Sequence, residues 1–271
     1  MNVLISADME GISGVVSWDH VDAQHKEYER FRKLMTAEVN AAIEGALTGG
    51  AERVVVNDSH GGMKNILIED LNDAAELISG SPKPFGMMQG IGPGVDAVFL
   101  VGYHAAAGTA AAILAHTWSS RTVTQVQLNG QVVGETGLNA ALAGSFGAPV
   151  LLVTGDRAVT EEARALLGEI ETVAVKDGIT RSAARCLHPE VVHRRIRQAA
   201  ERALRLKNPP FVLEPPITVR VTFKTALQAE QAALIPGSRR VDGLLVEWTG
   251  DDMPTAYKTF RGMVGLAWTG N

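Results

Sequence analysis

The chain has 271 residues, 46% of them hydrophobic and 20% charged, with a formal net charge of -5. Such a make-up belongs to a globular protein of one large domain or two smaller ones, and no dense Lys/Arg cluster marks a nucleic-acid surface. A single cysteine, Cys186, excludes a disulfide within the chain; with no signal-peptide pattern and no apolar run of the roughly 18–20 residues a membrane span needs, it predicts a cytoplasmic protein without membrane or nucleic-acid partners.

Short apolar runs alternate with helical patterns along the first two thirds. Residues 2–6 (NVLIS), 53–58 (RVVVND), 96–103 (DAVFLVGY), 149–156 (PVLLVTGD) and 172–178 (TVAVKDG) read as strands buried on both faces, since they are continuous and rich in Val, Ile and Leu. Residues 29–48 carry Phe31, Leu34, Met35, Val39, Ile43 and Leu47 at helical spacing, closed by Gly49-Gly50. The same pattern predicts helices over 66–78 and 137–147, while Asn129-Gly130 between apolar alternations predicts a hairpin over 127–135. The fold class that follows is α/β, a mostly parallel sheet flanked by helices.

After about residue 180 the texture changes. Cys186 falls in a predicted helix, as a small buried apolar residue, and 189–206 forms a long amphipathic helix whose basic run 193–197 is a solvated face. A strand (217–223), a helix (225–234), a strand (241–248) and a final helix (253–267) complete a smaller C-terminal α+β domain. The expected division is 1–185, the α/β domain, and 186–271, the smaller domain.

The ionisable residues cluster at strand ends. The first strand runs into Asp8 and Glu10, the second into Asn57-Asp58-Ser59-His60, the third into Gly102-Tyr103-His104, and the hairpin into Gly134-Glu135. Ligands of an open parallel sheet bind beyond the carboxyl ends of its strands. Each residue alone has an ordinary reading as a cap, a solvated acid or a hydrogen-bonded histidine. Together, three carboxylates and two imidazoles carry an electrostatic cost that a divalent metal removes. Oxygen and nitrogen ligands without thiolate suit catalytic zinc, and five of them exceed what one such zinc takes, which points to two metals sharing a carboxylate. His116, in the apolar segment 111–120, fits both a core histidine and a proton carrier beside the metals. The glycines of 90–94 precede a strand where a dinucleotide loop must follow one, and Ser59 lacks a nucleophile-elbow context.

The blocks SADMEG, VNDSHGGMKN, VGYHAAAGT, LAHT, LNGQVVGETGLNAALAG and PVLLVTGD, in this order, resemble the bacterial zinc D-aminopeptidases linked with dipeptide transport, which begin with an S-x-D-x-E-G signature. The resemblance implies two zinc ions per subunit on Asp8, Glu10, His60, His104 and Glu135, with Asp8 bridging, and places the family's active-site histidine on His116. It also implies stacked rings of subunits, a decamer, around an internal chamber. Arg157 stands where many relatives carry a second acid, which puts the metal surroundings or substrate preference in question.

The function this implies is a metallo-aminopeptidase that releases N-terminal, preferably D-, residues from short D-residue-containing peptides by a zinc-activated water. His116 then fits a donor to the oxyanion or an acid for the leaving amine better than a covalent nucleophile. Asn57, Asp58 and Asn65 stand in loops suited to the substrate amine. The alternatives are a metal-dependent amidohydrolase of a small non-peptide amide, and a non-catalytic peptide-binding protein.

Overall fold

The computed structural model describes residues 1–269. Val3, Leu4 and Ile5 make β1 (Asn2–Ala7) apolar on both sides, and it takes a central place in a sheet covered on both faces. The chain leaves through α1 (Tyr28–Thr48) to β2 (Arg53–Asp58) and the short edge strand β3 (Ala75–Ile78), then returns to the other side of β1 as β4 (Ala97–Tyr103). Three more strands extend that side: β7 (Val150–Asp156), β8 (Glu171–Thr180) and β9 (Ala183–Cys186), with α3 (Arg157–Leu167) joining β7 to β8. The order is β3-β2-β1-β4-β7-β8-β9, parallel except for the last pair. The strand order therefore reverses between β1 and β4, and a doubly wound sheet opens a crevice at such a reversal.

Alternation along the strands divides the core. Val3, Ile5, Phe99 and Val101 face a cluster with α1 and with α4 (Pro189–Ala203), while Leu4, Val98, Leu100 and Tyr103 face the opposite one. That second cluster is filled by α2 (Glu135–Ser145), α6 (Met253–Thr269) and a second, antiparallel sheet. Its strands are β5 (Val123–Leu128), β6 (Gln131–Val133), β10 (Ile217–Phe223), β11 (Ser238–Arg240) and β12 (Leu245–Gly250), ordered β11-β12-β10-β5-β6, with α5 (Ala226–Ala232) packed alongside. The β5–β6 hairpin turns on Asn129 (φ 47°) and Gly130 (φ 83°), both left-handed as the tight turn requires.

Two expectations are corrected. Residues 66–78 hold one short 3-10 turn (Ile68–Asp70) and strand β3 in place of a helix. Local polar contacts outcompete the helix: the Asn72 side chain accepts from the Ala74 N–H, and Asn40 bonds the backbone of both Asp70 and Asn72. Cys186 ends β9 as an exposed thiol, neither helical nor buried, because β8 and β9 fold back on each other as an edge hairpin.

Candidate metal centre

Asp8 and Glu10 emerge from β1 at the β1/β4 crevice, held by backbone bonds from the Asp8 N–H to Val101 O (2.8 Å) and from the Gly11 N–H to Gly102 O (2.7 Å). A Cβ on Gly11 would stand 2.0 Å from the Tyr103 carbonyl oxygen. Gly102 is left-handed (φ +73°), and a Cβ there would meet Asp8 O at 2.2 Å. The two glycines thus let the β1 and β4 ends touch backbone to backbone, which brings Asp8 and Glu10 beside His104. Lys176, buried on β8, closes the loop from below: its Nζ donates to the carbonyls of Glu10 (2.6 Å), Ile12 (2.8 Å) and Val15 (2.7 Å). His60 enters from the end of β2, and Glu135 opens α2, its Oε1 accepting the Trp118 N–H at 2.6 Å.

His116 rides on a loop in which Ala111, Leu114 and Trp118 are left-handed without being glycine. Such residues cost on the order of 1–3 kcal/mol each and persist only where their surroundings hold them. Three bonds hold this loop: Asp156 Oδ2 accepts the Ile113 N–H (2.7 Å), Arg181 O accepts the Leu114 N–H (3.0 Å), and Thr117 Oγ1 accepts the Ala107 N–H (3.1 Å).

Each of the three histidines has one ring nitrogen on a backbone carbonyl. His60 Nε2 lies 2.9 Å from Val21 O, His104 Nδ1 3.1 Å from Ala105 O, and His116 Nδ1 2.9 Å from Leu114 O. A carbonyl only accepts, so those nitrogens carry protons, and the opposite nitrogens face the carboxylates, where either a second proton or a cation can sit between them. His60 Nδ1 stands 2.9 Å from Glu10 Oε2 and 3.3 Å from Asp8 Oδ1. His104 Nε2 stands 3.5 Å from Asp8 Oδ2 and 3.4 Å from Glu135 Oε1. His116 Nε2 is 3.7 Å from Glu135 Oε1 and 4.0 Å from Glu10 Oε1, its ring stacked on His104 at 4.0 Å between centroids.

The acids and His104 are almost fully buried. Burial and the neighbouring Glu10 carboxylate push Asp8 up to about 7. Burial works against charge at His104 too, yet the carboxylates, Glu135 foremost, outweigh it and draw that ring up to about 10. His60 is likewise held well above its usual value against burial, by Glu10 and Asp8, and Glu10 well below its own by His60. His116 goes the other way: burial and the neighbouring His104 lower it and keep its Nε2 lone pair free.

The residues fit a metal on their own chemistry. Asp8 Oδ2 and His104 Nε2 are buried without a hydrogen-bond partner. Asp8, Glu10 and His60 offer ligand atoms within 4.8 Å of one another, as do Asp8, His104 and Glu135; Asp8 is common to both groups. A cation would replace the excess protons at these lone pairs. A third such group, Glu10, His104 and His116, includes the histidine that the resemblance singles out for catalysis.

All five expected ligands and His116 therefore converge, five of the six lining a cavity of about 380 Å³ with His104 beneath them. Asn57, Asp58 and Asn65 do not reach it. Asn57 bonds the backbone at 86–87, and Asp58 accepts from Asn65 and Ile66, so these polar groups hold the β2 loop and not a substrate. Arg157 lies outside as well, exposed at the start of α3 and paired with Asp177 at 2.6 Å. Reading the sequence misses Lys176, whose signal was a lysine directly after the apolar residues 173–175, and the cavity's two arginines, Arg121 and Arg261, for which no local pattern exists.

A family model described as Peptidase_M55, D-aminopeptidase, matches residues 1–262. A D-aminopeptidase of Bacillus subtilis (strain 168) is 38% identical over 270 residues, which span 98% of this chain and 98% of that protein. The solved structure of the Zn-dependent D-aminopeptidase DppA from Bacillus subtilis, described as a self-compartmentalizing protease, superposes with a TM-score of 0.96 at 38% identity, over 99% of this chain and 98% of its own.

Proposed function

The chain belongs to the D-aminopeptidase family, and from that premise we propose that it removes N-terminal D-residues from short peptides with two zinc ions per subunit. The observation that carries the two-metal reading is the Asp8 carboxylate, which turns Oδ1 to His60 and Oδ2 to His104. Asp8, Glu10 and His60 would hold one zinc, and Asp8, His104 and Glu135 the other. Residues 1–185 then carry every ligand and His116, while residues 186–271 supply outer wall through Arg261 and Trp268.

Zinc bound there supplies a Lewis acid for the scissile carbonyl and an activated water. The protein supplies the rest. The carbonyls of Val21 and Ala105 fix the tautomers of His60 and His104, so neither ring has to reorganise. His116, neutral and with Nδ1–H on Leu114 O, presents Nε2 as an acceptor; it takes the proton of the attacking water and returns it to the departing amine. In this resting tautomer His116 is a base before it is a donor, which reverses the order of roles expected from sequence. The rings of Trp18 and His104 flank it and keep bulk water away.

A cytoplasmic home suits the exposed Cys186 thiol, and no helix among the described residues is long and apolar enough to cross a membrane. The self-compartmentalizing relative supports assembly of this chain, for which we propose stacked rings of ten.

The test compares D-alanine and L-alanine release from D-Ala-D-Ala and L-Ala-L-Ala, with zinc counted per chain by mass spectrometry before and after chelation. Two zinc ions and D-selective release that chelation abolishes are expected. Equal or L-favoured release would remove the chiral assignment, and one zinc per chain the bridging role of Asp8.

A further inference from the structure

The cavity over the metal centre has a second pole. Its only carboxylates among the lining residues are Asp8, Glu10 and Glu135; its other charged side chains, besides the histidines, are Arg121 and Arg261. Neither arginine has an ion-pair partner among the described residues, whereas the exposed Arg157, Arg202 and Arg239 each pair with an acid.

Arg261 is a held group. It leaves α6 and its Nη1 donates to the carbonyls of Lys83 and Pro84. Lys83 in turn is anchored through Nζ to Asn57 Oδ1 (2.7 Å) and Asp58 O (2.6 Å), so the platform under the guanidinium is fixed to the end of β2. The left-handed Gly86 makes room, since a Cβ there would stand 2.9 Å from Arg261 Nε. That Nε is buried without an acceptor, and Nη2 has no bond to any described residue. Its guanidinium carbon lies 5.9 Å from the Trp118 ring, and the same Trp118 gives its N–H to the ligand Glu135. Arg121 stands over the Trp268 ring at 5.3 Å, on the cavity's outer rim.

Two unpaired cations, one of them pre-positioned, in the same cavity as a centre for the amino end of a peptide, call for an anion on the same ligand. We propose that Arg261 and Arg121 bind the C-terminal α-carboxylate of the substrate, which makes the enzyme selective for short peptides free at both ends. This rests on the aminopeptidase reading of the metal centre. Arg261 supplies the fixed, partly desolvated contact, and Arg121 the exposed, salt-sensitive one.

The experiment measures kcat/KM on D-alanyl-D-alanine and on its C-terminal amide, which differ only in that charge. The zinc-loaded wild type is expected to favour the acid by about ten- to a hundred-fold, the worth of a charge-assisted contact. Arg261→Gln and Arg121→Gln should each lower the acid-to-amide ratio, mainly through KM, and Arg121→Lys should restore most of it. Equal use of acid and amide by the wild type would overturn the assignment while D-selective cleavage left the aminopeptidase reading standing. Variants that lose acid and amide alike, with the ratio kept, would reduce the arginines to packing and overturn it too. If neither peptide is cleaved, the aminopeptidase reading fails. The same two peptides titrated against Trp118 and Trp268 fluorescence then decide: tighter binding of the acid keeps the assignment, and equal binding ends it.

Discussion

His116 differs from its neighbours in the direction its surroundings push it. His60 and His104 are driven towards positive charge by the carboxylates they face, whereas burial and the His104 ring keep His116 neutral. His116→Ala should therefore leave the zinc content intact and lower kcat by about 10²–10⁴-fold, the span of a lost acid–base group. Trapping of a covalent adduct on His116 would contradict an acid–base role. Glu38 makes a different prediction. It is buried with Oε1 on the Ser13 N–H (2.7 Å) and Oε2 unpartnered, and burial pushes it from 4.5 up to about 7. Between those two values the folded state binds more protons than the unfolded one. The stability tied to Glu38 is thus fully present below about pH 4.5 and is lost as pH rises through about 7. The Tm of Glu38→Gln relative to wild type should rise between pH 5 and pH 8; a pH-independent difference would refute this.

The strand ends bear the site because β1 and β4 meet without side chains between them. Gly11→Ala puts a Cβ 2.0 Å from the Tyr103 carbonyl, so the two ends must separate. We expect a loss on the order of 3 kcal/mol in stability together with lower zinc occupancy. Gly92→Ala, where a Cβ meets nothing within 4 Å, serves as the control and should stay within about 0.5 kcal/mol. The legible part of this element logic was large. Strands buried on both faces announced themselves by unbroken Val, Ile and Leu, and Asp8, Glu10, His60, His104 and Glu135 each followed a strand or hairpin directly. What stayed hidden was whatever depends on a partner far away in the chain. Residues 66–78 have a helical pattern, but Asn40 from α1 captures their backbone. Cys186 became an exposed edge residue because β9 pairs back on β8. Arg261 reaches the cavity from α6, 178 residues beyond the Lys83 carbonyl it grips, and no local periodicity encodes that.

At the scale of the whole molecule, the second sheet and the α5 segment beside it leave apolar side chains in water, with Leu234 68%, Val132 51% and Leu227 50% exposed. A chain that assembles would cover such groups. Light scattering should return the mass of ten 28.8 kDa chains, and a monomeric mass would remove the ring. The order in which this second sheet recruits its strands has a further consequence. β5 and β6 are made early, yet β5's other neighbour, β10, lies about 90 residues later, and Arg261 and Trp268 come close to the end of the chain. At about 5–20 residues per second of synthesis, the hairpin waits on the order of 5–20 s for its partner strand. Throughout that interval β1 and β4 are already made while the outer wall of the cavity does not exist. A ribosome that stops short of α6 would thus release a chain without Arg261 and Trp268, and with α2, the helix that Glu135 opens, deprived of the bond from Tyr257 to Asn139 and of the packing of α6.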